Sequence, residues 1–266
     1  MPELPEVETI RRQLSEKVIG AVVARVEVRR VSCYGGEVFK EQEVIEKIER
    51  VGKYLYIYFV SGRGFVVHLK MTGRLVVGVD AYETLPHTRV VIVLGDGRKI
   101  YYWDARTFGY IKYVERVEEE HKEQTKKLGP DPWQINEEEF FALIKKYQRP
   151  IKNIILDQAL ISGVGNIYAN DGLWEAGIDP RRISSSLTKG ESNKLIKEIR
   201  HVLERGLVTG GASDNSYVNA LGEKGSYQDE FRVYKRTGKP CLKCGQTLKR
   251  VVVGGRGTWV CEVCQK

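Results

Sequence analysis

The stretch YLYIYFVSGRGFVVHL, residues 54–69, is two apolar runs with Ser61-Gly62-Arg63-Gly64 between them. Runs of this length, rich in aromatic and β-branched residues and parted by turn residues, predict a β-hairpin. A second pair follows at 90–94 and 99–103, turning at Gly95-Asp96-Gly97. Upstream, Ala24, Val26 and Val28 alternate with Arg25, Glu27 and Arg29, the pattern of a half-buried strand. Before the strands comes an amphipathic helix over 5–18. Val7, Ile10, Leu14 and Val18 recur at helical spacing, Pro5 suits the first turn, and Glu6 and Glu8 suit the positive end of the helix dipole. One helix followed by many short strands predicts a β-sandwich or barrel over residues 1–117.

Near residue 118 the pattern changes. A run of mixed charge, Glu118 to Lys127, leads into Leu128-Gly129-Pro130-Asp131-Pro132, so 118–135 reads as a linker. Beyond it the periodicity is helical. Phe140, Phe141, Ile144 and Tyr147 make one apolar face, and Ile151, Ile154 and Ile155 another. The loop Ser162–Asn166 precedes a helix over 167–176 that Gly177 caps. Thr188 and Glu191 form a capping box ahead of Leu195, Ile199 and Leu203. This helical region spans 136–228, and a cysteine-bearing module fills 229–266. The fold class is α+β and multidomain.

The chain is 42% hydrophobic and 29% charged, an ordinary globular balance. It has no apolar stretch of membrane-spanning length and no secretory leader. A soluble intracellular monomer, with no membrane partner, is the expectation. The net charge of +8 is local. Arg232 to Lys266 carries nine Lys or Arg against Glu262 alone, and the remaining residues balance. So concentrated a positive module suits a polyanion such as nucleic acid, although a solubilising tail has the same composition.

Four of the five cysteines lie in that module, as Cys241-x2-Cys244 and Cys261-x2-Cys264. Two such pairs joined by a hairpin supply four thiolates to one tetrahedral zinc ion. A closed four-cysteine site has no open position for substrate, so the zinc is structural, and no organic cofactor is expected. Arg256, at the glycine-rich hairpin tip, can approach a phosphate or can be a solvated turn residue. Cys33 stands alone as a small buried or loop residue.

Pro2 follows the initiator methionine, whose removal exposes a secondary amine with a pKa near ~8. Such an amine can attack a sugar carbon and form an iminium, and Glu3 beside it can move protons. The same residues also serve as plain punctuation before a helix.

The rest of the chain bears on that choice. PELPEVETIRR at 2–12 resembles the opening of the formamidopyrimidine-DNA glycosylase family. Further stretches are similar to that family in the same order: RVGKYL at 50–55, HLKMTGR at 68–74, DARTFG at 104–109, LGPDP at 128–132, ISGVGNIYANDGLWEAGI at 161–178, and GGRGT at 254–258 with Cys261 and Cys264. The resemblance covers almost the whole chain. It implies an N-terminal catalytic β-sandwich, a helix–two-turns–helix domain with a lesion-capping loop, and a C-terminal zinc-finger hairpin.

It also implies a base-excision repair enzyme, both glycosylase and abasic-site lyase, acting on double-stranded DNA that contains oxidised bases or abasic sites. The substrates implied are oxidised purines, chiefly 8-oxoguanine and formamidopyrimidines, each flipped out of the duplex. Pro2 matches the nucleophile, Glu3 the proton donor and acceptor, and Glu6 a second essential acid that positions rather than reacts. Lys53 and Arg256 match residues of proton transfer or phosphate contact during elimination of both flanking phosphates. Met71, Arg106 and Phe108 match the set that fills the space left by the flipped nucleotide, with Arg106 reading the orphaned base. His68, His87 and Asn166 match phosphate holders, and Lys152 a lysine linked with oxidised-guanine binding.

Three departures stand out. Thr72 lies where the family varies. Asp171 and Gly172 replace a glutamate and a small residue, which predicts a slightly looser helix. Residues 210–227 match the lesion-capping loop only loosely. The alternatives to an oxidised-purine enzyme are the sister endonuclease VIII type, which prefers oxidised pyrimidines, and a catalytically dead DNA-binding module.

Overall fold

The computed structural model describes residues 1–214 and 216–266. The chain forms two compact units, Met1–Lys126 with Leu207–Gln228, and Lys127–Gly206 with Asp229–Lys266.

The first unit opens with helix α1, Leu4–Val18, which buries Leu4, Val7, Ile10, Leu14 and Val18. Nine strands follow: β1 Val22–Val28, β2 Tyr34–Gly36, β3 Glu43–Val51, β4 Tyr54–Phe59, β5 Gly64–His68, β6 Arg74–Val77, β7 Thr88–Leu94, β8 Lys99–Trp103 and β9 Tyr110–Val114. Their order is β2-β9-β5-β4-β3-β1-β7-β8-β6, antiparallel except for the β2–β9 pair. β1 meets β3 only at Val22↔Val44 and Val23↔Glu43. The sheet therefore turns at that seam into two layers, with Ile57, Phe59, Phe65, Leu75, Ile92 and Ile100 in one core between them. Among the described residues the order has two free ends, β2 and β6, so the architecture is a sandwich and not a closed barrel. Cys33 is buried in its core.

Two local readings of the sequence change. In β1, Val23 is the core residue and Val28 is exposed, because the register with β7 shifts between Val23 and Arg25. One extra residue at a bulge reverses which side chains face inward. The first part of the expected linker is a helix, α2, Val117–Lys127. Glu118, Glu119 and Glu120 occupy its first turn, and the pairs Glu118–Lys122 and Glu123–Lys126 lie along its surface. These charges support a helix without an apolar stripe.

Residues 207–228 pack with the first unit rather than with the helices that precede them. Val77 N donates to Ala220 O at 2.8 Å, Ala220 N donates to Gln13 Oε1 at 2.9 Å, and Tyr217 joins the sandwich core. Asn215, inside the segment matched to the capping loop, lies outside the described residues.

The second unit holds α3 Glu137–Lys145, α4 Ile151–Leu156, α5 Asn166–Ala176 and α6 Lys189–Val208, then the hairpin of β10 Lys249–Val253 and β11 Arg256–Val260. Gly177 ends α5 at φ 76°, and the Thr188–Glu191 capping box starts α6. Gly172 lets α5 approach Ile199 of α6; a Cβ there would lie 3.1 Å from Ile199 Cγ1. Asp171 is fully buried, and its Oδ1 accepts from Val233 N and Tyr234 N at 3.0 and 3.1 Å. Both departures thus serve packing rather than loosen the helix. Among the described residues no helix is long and apolar enough to cross a membrane.

Glu8 ties α1 to the sheet. It accepts from Arg11, Arg12 and, at 3.1 Å, Arg50 Nε. Burial by itself would raise its pKa, but hydrogen bonds and charge from the guanidiniums hold it down at about 2. A carboxylate lowered on folding contributes stability that is complete above its ordinary value of 4.5 and is lost as pH falls through about 2. Glu8→Gln is expected to cost on the order of 1–2 kcal/mol at pH 7 and to flatten the stability profile between pH 4.5 and 2. Thermal unfolding against pH checks this; curves for the two proteins that run parallel through that window would contradict it.

Candidate active site and nucleic-acid interface

Pro2 and Glu3 are buried at the start of α1, while Met1 is exposed. Glu3 is the N-cap residue. Its carboxylate accepts the Glu6 N–H, and Glu6 Oε2 accepts from Glu3 N at 2.7 Å. Glu6 Oε1 accepts from Ala212 N at 2.8 Å. Gly211, at φ 89°, comes so close that a Cβ would lie 2.8 Å from Glu6 Cγ. Each Glu6 oxygen therefore receives a backbone N–H. With Met1 attached, the Pro2 nitrogen is an amide and carries no basic lone pair.

Lys53 follows the tight turn at Gly52, φ 55°, whose carbonyl accepts from Arg50 Nη1 at 2.9 Å. The Lys53 and His68 side chains are both buried, and Tyr54 of β4 pairs with His68 of β5. Lys70 N donates to His68 Nδ1 at 2.9 Å, which leaves the ring hydrogen on Nε2. Burial, then the charges of Lys70 and Lys53, push the His68 pKa down to about 3. At neutral pH it is an uncharged N–H donor.

The loop after β5 and the loop after β8 present Met71, Arg106 and Phe108 together. Arg106 Nη1 lies 3.3 Å from Met71 Sδ, and its guanidinium carbon lies 4.5 Å from the Phe108 ring centre. Met71 is 43% and Phe108 53% exposed, so neither is a core residue. Lys70 and Thr107 hold left-handed backbone at φ 49° and 54°. For a β-branched threonine this costs on the order of 1–3 kcal/mol, which the surroundings must offset. His87 is half-buried just before β7, and Arg89 Nη2 donates to its Nδ1 at 3.1 Å. Arg89 Nε also donates to Asp104 O at 2.8 Å. Sequence reasoning does not single out Arg89 or the fully buried Asp104 as functional. An aspartate two residues before the loop arginine, in the position of an Asx turn, is the available signal.

In the second unit the four cysteine sulfurs lie within 4.8 Å of one another, with Cys241–Cys264 at 3.9 Å and Cys244–Cys261 at 3.4 Å. Tetrahedral Zn–S bonds of ~2.3 Å require sulfurs about 3.8 Å apart, so the cluster fits one zinc ion. Trp174 Nε1 donates to Cys241 Sγ at 3.4 Å, orienting that ligand. Gly254 and Gly255, at φ 56° and 73°, make the two-residue turn that exposes Arg256.

The structure does not place Lys152 at a surface. It is fully buried, and its ammonium donates to Gly257 O at 3.1 Å and Thr258 Oγ1 at 2.7 Å. Asn166 Nδ2 donates to the same Gly257 carbonyl at 3.1 Å, and Asn170 Oδ1 accepts from Trp259 N at 2.9 Å. Lys152 thus holds the hairpin beside Arg256.

Three family models match the chain. That of the formamidopyrimidine-DNA glycosylase N-terminal domain covers residues 1–111, that of the same enzyme's H2TH domain 128–217, and that of a zinc finger found in FPG and IleRS 238–266. The formamidopyrimidine-DNA glycosylase of Desulfitobacterium hafniense is 40% identical over the full length of both chains. That of Moorella thermoacetica is 41% identical over 94% of each. The crystal structure of MutM (Fpg) from Thermus thermophilus superposes with a TM-score of 0.90 at 39% identity, over 99% of this chain and 98% of that one. A mutant Lactococcus lactis Fpg bound to a Fapy-dG containing DNA gives 0.91 at 31% identity, over all of both chains. The chain belongs to the formamidopyrimidine-DNA glycosylase family and is a base-excision DNA glycosylase with one structural zinc site.

The His68 environment gives a direct check. Its imidazole Cε1–H resonance is expected to show no titration step between pH 5 and 8 by NMR. A midpoint near the ordinary value of 6.5 would contradict the buried, neutral assignment.

Proposed function

We propose that the protein is a bifunctional glycosylase and abasic-site lyase for oxidised purines, 8-oxoguanine and formamidopyrimidines, with the Pro2 amine as nucleophile. The observation that carries this reading is the start of α1, where Pro2 and Glu3 are buried together and Glu6 fixes the backbone between them. A relative bound to Fapy-dG containing DNA, and another bound to DNA with an abasic site at 30% identity and a TM-score of 0.90, support the substrate class.

Once Met1 is removed, the Pro2 lone pair forms a bond to C1′ of the flipped nucleotide as the C1′–base bond breaks. The Pro2 nitrogen passes its own proton to the departing base, Glu3 supplies a proton to O4′ as the C1′–O4′ bond breaks, and the nitrogen lone pair closes the Pro2 iminium. That cation acidifies the C2′ hydrogen. Its removal expels the 3′ phosphate, a second elimination expels the 5′ phosphate, and water then releases Pro2. Lys53 and Arg256 are assigned to proton transfer or phosphate contact in these steps. His68 and His87 each present Nε2 as a donor, which suits a phosphate oxygen, and Asn166 has the same role. Met71 and Phe108 form the apolar wedge, and Arg106 offers forked donors to the orphaned base. Lys152 acts through the hairpin. Glu6 positions Glu3 and the segment at Ala212.

Borohydride reduction of the iminium should link the protein covalently to duplexes carrying 8-oxoguanine opposite cytosine. Pro2→Gly and a protein that retains Met1 are both expected to lose this trapping. Equal trapping by Pro2→Gly would remove Pro2 from the mechanism, and a strong preference for thymine glycol would overturn the purine assignment. Chelation of the zinc, with metal loss verified, is expected to weaken binding to lesion duplex by roughly tenfold or more, through loss of the ordered Arg256 hairpin. Unchanged affinity in the metal-free protein would refute that dependence.

A further inference from the structure

Asp104 sits at the end of β8, fully buried, at the meeting point of the loops that carry the wedge. Its Oδ1 accepts from the Thr72 hydroxyl and from Arg106 N at 3.1 Å. Its Oδ2 accepts from Gly109 N at 2.9 Å and from the Tyr102 hydroxyl at 3.2 Å. Its backbone is engaged as well. Asp104 N donates to His87 O at 2.9 Å, and Asp104 O accepts from Arg89 Nε at 2.8 Å, the same guanidinium that donates to His87 Nδ1. One residue therefore reaches the loop of Met71, the loop of Arg106 and Phe108, and His87.

Thr72 is the side of this cluster that reaches the methionine loop. Its hydroxyl donates to Asp104 and also lies 3.4 Å from Arg106 N, from which it accepts. The two loops touch through backbone. A Cβ on Gly109 would overlap the Tyr102 hydroxyl and lie 2.6 Å from His68 O and 2.9 Å from Leu69 O. Close backbone contact brings the loops together. The carboxylate then fixes their register, because four donors on two oxygens leave little freedom to rotate.

We infer that Asp104, through Thr72, is the positioning residue that makes the two loops a single wedge, so that Met71, Arg106 and Phe108 enter the duplex as one body. This rests on the assignment of those three residues to the wedge. Asp104 is fully buried and both of its carboxylate oxygens are taken by protein donors, so the effect falls on opening the duplex and not on chemistry at C1′. Thr72, which follows Met71, is one end of this clamp.

Single-turnover rates on two duplexes test this, one with 8-oxoguanine opposite cytosine and one with a preformed abasic site whose base is already gone. A 2-aminopurine beside the lesion reports unstacking. Thr72→Val, which keeps the shape and loses the hydroxyl, is expected to slow unstacking and base excision by roughly tenfold, the scale of one lost buried hydrogen bond. Abasic-site incision should change less than about threefold, and Thr72→Ser should restore the wild-type rates. Asp104→Asn should act in the same direction and more strongly; should it fail to fold, the Val and Ser pair at position 72 still decides. Equal losses on both duplexes, or wild-type unstacking by Thr72→Val, would overturn the clamp. Met71→Ala and Phe108→Ala separate the two levels. Normal unstacking in both would remove the wedge assignment itself, whereas slow unstacking in both with normal Thr72→Val would remove only the clamp.

Discussion

The geometry at the start of α1 hangs on one carboxylate. Glu6 gives one oxygen to the backbone of Glu3, three residues earlier, and the other to Ala212, 206 residues later. Burying a carboxylate is costly unless donors replace its water, and two backbone N–H groups do so here. The helix end would otherwise carry orphan donors and fray. Instead Pro2 and Glu3 lead into a closed hydrogen-bonded turn that is also fastened to the 207–228 segment. The role proposed for Pro2 needs such anchoring, since termini are ordinarily the least ordered part of a domain.

The second unit solves a similar problem with a metal and a platform. The zinc thiolates fix the base of the β10–β11 hairpin, and the polar face of α5 fixes the part nearer the tip. Asn166 and Asn170 lie one helical turn apart, and both meet the hairpin backbone. Lys152 adds two donors from α4. Gly254 packs against Asn153 so closely that a Cβ would overlap its amide. Arg256 therefore projects from a support held at several points, although its own side chain is exposed.

Much of this was legible in the residues themselves. Apolar periodicity located α1, the hairpins of β4–β5 and β7–β8, and the helices after the LGPDP stretch. Cysteine spacing located the metal site. What was not legible depends on pairing between distant residues. The bulge at Val23/Arg25 exists only relative to β7, so alternation alone put Val28 on the wrong side. Helix α2 is held by charges rather than an apolar stripe and reads as a linker. The burial of Lys152 under the hairpin depends on Gly257 and Thr258, about a hundred residues away in sequence. Asp104 opens the DARTFG stretch, yet its importance lies in where its carboxylate points, which Thr72 and Tyr102 decide.

The left-handed backbone at Lys70 and Thr107 has a kinetic consequence. Neither residue is a glycine, so an unrestrained chain would seldom adopt that shape. The conformational entropy of ordering these loops is lost once, when the protein folds, and not at each encounter with DNA. A repair enzyme must inspect a great many undamaged base pairs for every damaged one. On the proposed wedge assignment, loops already shaped in the folded protein need no reordering at each base pair tested.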